Sequence, residues 1–450
     1  MEKRINILAG MPVMKAIIKL SLPVVMGMIV QVLYNLVDVW FIGMLGDANQ
    51  LAAANVSTPI FVIFLSITAI IGTGGAAHIS RCLGAKRMLR AQRTLSISVV
   101  FCIIIAIISA FLGIVYIKPL INFLGADFER LAAVHEFARQ YTLVLLYGAV
   151  IIMTNYTLSQ ILRAEGATHH STIGMIIGVV ANILLDPLFI FVFDMGVQGA
   201  AIATVLGNLL GLIYYLCIYF SGHTIVRMRF SVFKFDKSTI YQIFKIGLPA
   251  AMGQFLLTIS MVFNSNVAAG YGVLEVSAMG IAFKISLVGL FVFIGISAGC
   301  QPISGYSYGA KNAERLREVV RRGSELTLVI GTALFIIFFA IARETMAVFT
   351  YDQSIISIGT KILRAQIASW LLVGPELVIL TTLQSIGKSR AALVLAVSRQ
   401  GVLYIPLALL LKSMFGFIGF VWAQALCDAV MVVVSVYLMK IVLDKYAVRV

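Results

Sequence analysis

A short stretch that occurs twice decides the fold of this chain. KLSLPVVMG at residues 19–27 returns as KIGLPAAMG at residues 245–253, with the lysine, leucine, proline, methionine and glycine unchanged. Two further pairs keep the order and nearly the spacing: Gly84-Ala85-Lys86 with Gly309-Ala310-Lys311, and Gly196 and Gly199 with Gly416 and Gly419. A repeat that holds its order over the whole length indicates two related halves.

Composition places both halves in a membrane. The chain has 450 residues, of which 61% are hydrophobic and 12% are charged, and its mean hydropathy is +1.02. A soluble domain carries about 25% charged residues, so a soluble multidomain protein and a disordered chain are both excluded. Because a helical span needs about 20 apolar residues, the apolar runs predict twelve transmembrane helices, at residues 15–42, 51–80, 94–118, 135–160, 171–193, 197–220, 240–270, 277–305, 319–342, 361–384, 391–411 and 416–440.

Six spans per half give both halves the same orientation, so they form a parallel repeat about an axis along the membrane normal. The predicted fold is an all-α polytopic membrane protein of two six-helix lobes related by a pseudo-two-fold axis. The first lobe is predicted at residues 1–222, a charged cytoplasmic linker at 223–239 and the second lobe at 240–450. Two such bundles facing each other across a cleft are typical of a transporter, and a duplicated bundle without a transport role is the alternative.

Basic residues predict the orientation in the membrane. Of the 34 lysines and arginines, 25 fall in the termini and the loops on their side, and seven fall in the loops of the other side. Since cytoplasmic loops carry the excess of Lys and Arg, both termini are expected in the cytoplasm. The same distribution explains most of the net charge of +15 without nucleic acid. The first apolar run is too long for a cleaved signal peptide and carries Asp38, so it is predicted to be span 1.

The sequence gives no indication of catalysis, of a disulfide framework or of a transition-metal site. The five cysteines are scattered and form no C-x-x-C pair. Neither H-E-x-x-H nor a Walker A sequence occurs, which argues against a metalloprotease and against ATP hydrolysis. The G-x-S-x-G pattern at residues 295–299 lies within an apolar helix, where it is typical of helix packing. The chain is therefore predicted to be no enzyme and to need no cofactor.

Span 1 carries polar residues on one face. Gln31, Tyr34 or Asn35, and Asp38 follow at the spacing of successive helical turns. Asp38 is about five residues from the outer end of the span, roughly 8 Å deep at 1.5 Å per residue. A charged side chain inside a membrane costs about 2.5–3.5 kcal/mol, so such residues are functional candidates. Pro23, in the same span, is expected to bend it.

Spans 5 and 6 carry stripes of small and polar residues at intervals of four: Gly174, Gly178, Asn182 and Asp186 in span 5, and Gly196, Ala200, Thr204 and Asn208 in span 6. The glycines permit close helix packing, which leaves Asn182 and Asp186 to project from the same face. Pro187 follows and frees the carbonyl group of Ile183. Asp38, Asn182, Asp186 and Thr204 are thus expected within about two helical turns of depth in the outer half of the membrane.

These four side chains predict an oxygen-rich cation site. Hard cations take oxygen ligands, and neighbouring desolvated carboxylates raise one another's affinity for protons. The cluster therefore suits either Na⁺ or H⁺. The alternative is that each polar group hydrogen-bonds locally and that the two acids lie at a headgroup boundary.

The second half carries different intramembrane charges. They are Lys284 in span 8, Glu376 in span 10 and Asp428 in span 12, whereas span 7 holds no acid. Because an unpaired charge within the membrane is costly, Lys284 is expected to pair with Glu376 or Asp428. This charge network is either a site or an internal ion pair that holds the bundle together.

Four motifs resemble those of the multidrug and toxic compound extrusion (MATE) family, in its bacterial multidrug branch. They are Leu22-Pro23, Tyr34-Asn35-Leu36-Val37-Asp38 with Phe41-Ile42-Gly43, Leu83-Gly84-Ala85-Lys86, and Asn182-Ile183-Leu184-Leu185-Asp186-Pro187. The resemblance covers nearly all of the chain. It implies twelve helices in two lobes and efflux of organic cations and other amphipathic compounds, driven by entry of sodium ions or protons.

The resemblance also implies roles for particular residues. The first-lobe cation site corresponds to Asp38, Asn182, Asp186 and Thr204, and positions that line the substrate cavity correspond to Gln31, Tyr34, Tyr141 and Asn155. Asn35, on the polar face of span 1, is counted with the cavity. Some relatives carry acids in spans 7 and 10 of the second lobe, and this chain lacks the span 7 acid.

The predicted function is therefore secondary active multidrug efflux by alternating access, in exchange for Na⁺ or H⁺, in the bacterial inner membrane. The expected partners are small cationic or amphipathic drugs and membrane lipid, with no nucleic acid, and the chain is expected to act as a monomer. The alternative is a lipid or lipid-linked saccharide flippase of the same superfamily. Its cavity should be basic to hold a pyrophosphate, whereas this one offers acids. A structural membrane protein is a third class.

Overall fold

Long helices make up nearly all of the chain. The structure, a computed structural model, describes residues 2–123, 132–228, 231 and 233–447, and it describes their side chains except at positions 2, 3, 35, 36, 39, 48, 58, 123 and 447. No strand occurs in these ranges. The prediction of an all-α membrane fold is confirmed.

The helices of the first half are α1 (Glu2–Ala9), α2 (Val13–Gly43), α3 (Ala48–Gly84), α4 (Met88–Val115), α5 (Ile117–Phe123), α6 (Ala132–Tyr147), α7 (Ala149–Ala164), α8 (Thr168–Pro187) and α9 (Gly196–Phe220). The helices of the second half are α10 (Lys237–Ala269), α11 (Val273–Gly309), α12 (Ala313–Ala340), α13 (Ala342–Ala347), α14 (Gln353–Ala368), α15 (Trp370–Ser385), α16 (Ser389–Val397) and α17 (Tyr404–Ala447). One π-helical turn, Leu188–Val192, continues α8, and another, Ser398–Val402, joins α16 to α17.

Counting the membrane spans requires attention to bent helices. Nine described helical runs are long and apolar enough to cross a membrane, and the bent pairs α6–α7 and α14–α15 each supply one more. The pairs bend by 55° and 41°. One of the nine runs, Ser389–Tyr446, has 58 residues, about 87 Å of helix, which is far more than one span needs. It breaks at Gly416, whose φ of 63° is left-handed, and dividing it there gives the twelve predicted spans among the described residues.

The backbone repeats the symmetry of the sequence. Left-handed φ values recur at equivalent positions of the two halves: Lys86 (55°) and Lys311 (60°), Gly166 (77°) and Gly387 (79°), and Gly196 (51°) and Gly416 (63°). Placing Gly166 and Gly387 in register aligns α7 with α15, and it aligns α8 with α16 and the π-helical turn that follows α16. Placing Gly196 and Gly416 in register aligns α9 with the part of α17 that follows the break at Gly416.

Residue contacts divide the chain into two compact units. Unit 1 comprises Met1–Ile5 and Met26–Ala251, and unit 2 comprises Asn6–Val25 and Met252–Val450. The division falls just after Pro23 in α2 and just after Pro249 in α10, which are equivalent places in the two repeated stretches. It differs from the predicted lobes 1–222 and 240–450 in these two helix segments, and the predicted boundaries stay a prediction.

The described part of the connection between the halves is anchored to unit 1. Val226 is buried, and its N–H donates a 2.8 Å hydrogen bond to Glu165 Oε2. Arg4 Nη1 donates to the carbonyl oxygen of His223 at 2.6 Å. Glu165 follows the last residue of α7 and has no exposed surface. Burial raises the pKa of its carboxyl group to about 7, against the opposing effect of the Val226 hydrogen bond. Residues 229, 230 and 232 of the predicted linker lie outside the described residues.

The first prediction concerns this buried carboxyl group. Its pKa is higher in the folded protein than the ordinary 4.5, so the wild type loses stability as pH rises from about 4.5 to about 7. Glu165→Gln keeps an oxygen that accepts from Val226 but carries no charge. The slope of the thermal midpoint between pH 5 and pH 8 in detergent should therefore flatten in this variant.

The exposed Glu314 provides the control. Glu314→Gln should leave the wild-type slope unchanged. A Glu165→Gln variant whose midpoint falls as steeply as that of the wild type would contradict the assignment.

Candidate cation site

The site in unit 1 is built on the close antiparallel contact of α8 and α9. A Cβ atom at Gly207 would lie 2.5 Å from the carbonyl oxygen of Gly178, and one at Gly211 would lie 2.8 Å from that of Gly174. Only glycine at these positions lets the backbones approach so closely, as the stripe of small residues predicts. One turn further along both helices, the same register places Asn182 opposite Thr204.

Polar side chains meet where the glycines end. The Nδ2 atom of Asn182 lies 3.4 Å from Asp186 Oδ1 and 3.4 Å from Thr204 Oγ1, and donates toward both. Thr204 Oγ1 donates to the carbonyl oxygen of Ala200 at 3.0 Å. The hydroxyl group of Tyr34 lies 3.4 Å from Thr204 Oγ1. The structure thus brings four of the residues predicted for the site or its cavity into contact.

Asp38 and Tyr141 belong to the same cluster. The carboxylate of Asp38 interacts electrostatically with Asp186 and with the hydroxyl groups of Tyr34 and Tyr141. Asp186 has no exposed surface, and Asp38 is partly exposed. Two like charges in one buried cluster repel each other, so the cluster is stabilised when a cation or proton joins it.

Three oxygen atoms of the cluster have no hydrogen-bond partner in the described structure. They are Asp38 Oδ1, Asn182 Oδ1 and Asp186 Oδ2, and all three are buried. An unpaired buried acceptor costs about 1–3 kcal/mol, and more when it is charged. The donor set is oxygen, and no group of three or more His, Cys, Asp or Glu that could hold a metal ion occurs in the described residues. The oxygen donors of the cluster fit Na⁺ or H⁺ rather than a transition metal.

The other predicted cavity residues lie around this cluster. Asn155 Nδ2 donates to Asn208 Oδ1 at 2.9 Å, and Asn208 Nδ2 donates to the carbonyl oxygen of Thr204 at 2.8 Å. Asn208 was not among the predicted site residues, although its place four residues after Thr204 in the span 6 stripe was the available signal.

Three further predicted residues lie on α2. Gln31 is partly exposed in the portion of the helix that belongs to unit 1. Pro23 lies inside α2, in the portion that belongs to unit 2. The side chain of Asn35 lies outside the described part of the chain.

In unit 2 the charges pair differently from the prediction. Arg399 Nε lies 3.0 Å from Asp428 Oδ1 and 3.2 Å from Glu376 Oε2, and both acids are fully buried. The expected pairing of Lys284 is therefore wrong: its side chain is exposed and makes no ion pair within the described ranges. The forked guanidinium group of Arg399 reaches both carboxylates from the π-helical turn at 398–402.

Duplicated six-span halves and a buried carboxylate cluster inside the membrane are the architecture of a membrane transporter. The MatE family profile matches residues 23–188 and 249–410, one segment in each half. The chain therefore belongs to the MATE family of efflux transporters, and the resemblance is confirmed. It is a transporter and not an enzyme, and a multi-pass protein of a bacterial membrane.

Relatives match along nearly the whole chain. The multidrug export protein MepA of Staphylococcus aureus is 31% identical over 437 residues, which cover 95% of this chain and 94% of that protein. A multidrug resistance MATE family transporter of the MOP superfamily, solved in an outward-facing conformation, superimposes with a TM-score of 0.93 at 26% identity over 99% of each chain. A MOP superfamily transporter from Pyrococcus furiosus, whose binding pocket of reverse polarity suggests a different function, also superimposes with a TM-score of 0.93 at 26% identity over 99% of each chain.

The second prediction concerns the charges of unit 2. Arg399→Gln alone leaves two buried carboxylates without their cation, so the folded state should lose about 3–5 kcal/mol of stability. The thermal midpoint should fall accordingly. The triple variant Arg399→Gln, Glu376→Gln, Asp428→Asn removes all three charges and should recover most of that loss. Thermal unfolding of the purified variants in detergent measures both effects. Equal losses in the single and triple variants would show that the charges do not act as a group.

Proposed function

We propose that the chain is a secondary active multidrug efflux transporter that exports organic cations and amphipathic drugs by alternating access, in exchange for Na⁺ or H⁺. The observation that carries this proposal is the set of three buried, unpaired oxygen atoms on Asp38, Asn182 and Asp186. The relation to the multidrug export protein MepA supports the drug as the exported ligand.

The cluster exchanges one positive ligand for another. With the site empty of cation, the carboxylates of Asp38 and Asp186 repel each other and favour a cationic drug in the cavity. When Na⁺ or H⁺ enters from the outer side, it neutralises this charge and the cavity loses its attraction for the drug. Two ligands that prefer different states of one site are coupled, and each lowers the affinity for the other.

Within the cluster the neutral groups have separate tasks. Asn182 holds its Nδ2 atom toward Asp186 and Thr204, so its Oδ1 atom stays turned to the cation. Thr204 Oγ1 donates to Ala200 and offers its lone pairs as a ligand. Asp38 lies on α2, the helix that contains Pro23. Neutralisation of Asp38 shifts α2 at this proline, where the missing hydrogen bond weakens the helix, toward a shape that releases drug outward.

The third prediction tests the two carboxylates. Asp38→Asn and Asp186→Asn keep the size and polarity of each side chain but remove its charge. Each should abolish gradient-driven efflux, which means that the efflux rate falls by at least about tenfold. Thr204→Ala removes one neutral ligand and should weaken the dependence on ion concentration more mildly. Substrate efflux from proteoliposomes is measured under an imposed Na⁺ gradient and an imposed pH gradient, each alone.

The exposed Asp194 is the matched control for these variants. It follows α8 and its π-helical turn and has a φ of 52°, a conformation that asparagine also tolerates. Asp194→Asn should therefore transport like the wild type. Wild-type ion dependence in both Asp38→Asn and Asp186→Asn would remove the cluster from the mechanism.

The fourth prediction concerns orientation in the bacterial inner membrane. The excess of basic residues on one side predicts that both termini lie in the cytoplasm. A C-terminal alkaline phosphatase fusion should be inactive, and a C-terminal fluorescent protein fusion should be bright. A strongly active phosphatase fusion would reverse the topology and place the carboxylate cluster in the inner half of the membrane.

A further inference from the structure

Unit 2 contains a cavity of about 110 Å³, whose lining includes Ser260, Asn264, Gln366, Trp370, Arg399 and Gln424. The repeat assigns this cavity to the place of the cation site in unit 1. With the KLSLPVVMG stretch and its second copy in register, Ser260 and Asn264 take the positions of Tyr34 and Asp38. In the alignment of α9 with α17, Gln424 takes the position of Thr204.

Backbone packing supports this alignment independently. The alignment of α8 with α16 and its π-helical turn pairs Gly178 with Arg399, and that of α9 with α17 pairs Gly207 with Cys427. In unit 1 the two glycines bring the helix backbones together. In unit 2 the Sγ atom of Cys427 lies 3.6 Å from the carbonyl oxygen of Arg399. The same two positions thus make the helix contact in both units.

The charged residues of unit 2 replace an amide pair of unit 1. Asn155 and Asn208 bond to each other at 2.9 Å. In the same alignments Glu376 takes the position of Asn155, and Asp428 takes that of Asn208. In unit 2 these two acids hold Arg399 between them. Neither acid lines the cavity within the described residues, whereas Arg399 does.

The two copies have therefore diverged in their charge. Asp38 of the cation site corresponds to the neutral Asn264, and the cation at the wall of the unit 2 cavity is the covalently attached guanidinium of Arg399. A fixed cation cannot be exchanged for Na⁺ or H⁺. The diverged copy is free to recognise something other than a cation.

Internal hydrogen bonds occupy two amide oxygens of the cavity wall and leave their nitrogens as donors. Tyr404 donates its hydroxyl hydrogen to Asn264 Oδ1 at 2.6 Å, and Ser286 donates to Gln366 Oε1 at 2.8 Å. The amide nitrogens of Asn264 and Gln366 and the Nη1 atom of Arg399 remain as donors, whereas Nη2 of Arg399 donates to Asp428 Oδ2 at 3.5 Å. Gln424 donates its amide nitrogen to Asp428 Oδ1 at 2.9 Å and keeps its oxygen as the one amide acceptor of the described lining that these bonds leave open. Trp370, Tyr404 and Phe420 add aromatic walls.

We propose that this cavity binds the uncharged aromatic end of a transported compound through a hydrogen-bond acceptor such as a carbonyl oxygen. Its volume of about 110 Å³ is roughly three quarters of the 150 Å³ of an engineered cavity that holds benzene, which is the size range of one ring. The carbonyl oxygen accepts from Arg399, Gln366 or Asn264, and the ring packs on Trp370. Only the description of the ligand as a transported compound rests on the proposed function.

Trp370 provides the measurement. The chain has three tryptophans, and the other two, Trp40 and Trp422, are exposed and can be changed to phenylalanine. In that background, emission from Trp370 reports binding of three probes of similar size: N,N-dimethylbenzamide, cumene and phenyltrimethylammonium. The amide should bind at least about tenfold more tightly than cumene, and the cation no more tightly than cumene.

Two substitutions remove donors without touching the charges. Asn264→Leu and Gln366→Leu should each weaken binding of N,N-dimethylbenzamide by about fivefold or more and leave cumene unchanged or slightly tighter. Gln254→Leu, at an exposed position of α10 outside the cavity lining, is the matched control and should change nothing. The neutral triple variant of Arg399, Glu376 and Asp428 removes one of the three donors and should reduce the preference for the amide over cumene.

Any of three binding results would overturn the proposal: equal binding of amide and cumene, binding of phenyltrimethylammonium at Trp370 that is tighter than that of cumene, or an undiminished amide preference in Asn264→Leu and Gln366→Leu. Loss of the Na⁺ or H⁺ dependence of efflux in Asn264→Leu would also overturn it, because unit 2 would then be an ion site. The binding experiments need no ion gradient, so a failure of gradient-driven efflux is seen separately from a failure of this inference.

Discussion

The close contact of α8 and α9 at Gly178 and Gly207 is the constraint on which the candidate cation site depends. Any side chain at Gly207 would meet the backbone of the neighbouring helix, so a larger residue must push the helices apart. With the backbones in contact, Asn182 and Thr204 face each other across the same interface one turn away. The geometry of the polar cluster therefore follows from residues that carry no polar side chain.

The internal repeat places this interface in both units, and the two copies neutralise their buried acids differently. A buried carboxylate must be neutralised, because its desolvation is far costlier than that of a neutral group. In unit 1 the acids Asp38 and Asp186 have no fixed cation within the described cluster, and in the proposed mechanism a mobile Na⁺ or H⁺ neutralises them. In unit 2 Arg399 is tethered between Glu376 and Asp428. Exchange is possible only where the neutralising charge can leave.

The sequence predicted the fold and much of the unit 1 cluster, because both follow from simple periods. Apolar runs give the number of spans, and four-residue spacing puts Asn182 and Asp186 on the glycine face of α8. It did not predict the partner of the unit 2 acids. Lys284 was the expected partner because an unpaired charge within the membrane is costly, yet Lys284 is exposed, and no sequence period shows which way Arg399 turns.

The position of the π-helical turns explains why Arg399, and not Lys284, pairs with the acids of unit 2. A π-helical turn inserts an extra residue into a helix, which rotates the side chains that follow relative to those before it. In α8 this turn comes after Asp186, so the regular stripe survives through the cation site. In the equivalent helix of unit 2 it comes at Ser398–Val402 and includes Arg399 itself. Ser260 donates a hydrogen bond to the carbonyl oxygen of Gln400 within that turn, which satisfies backbone that irregular structure leaves exposed inside a membrane. In the register of Gly166 and Gly387, the π-helical turn of unit 1 corresponds to residues 409–413, so the turn at Ser398–Val402 comes 11 residues earlier in unit 2. The different place of one irregular turn thus changes which residue faces the acids, and with it the chemistry of the duplicated site.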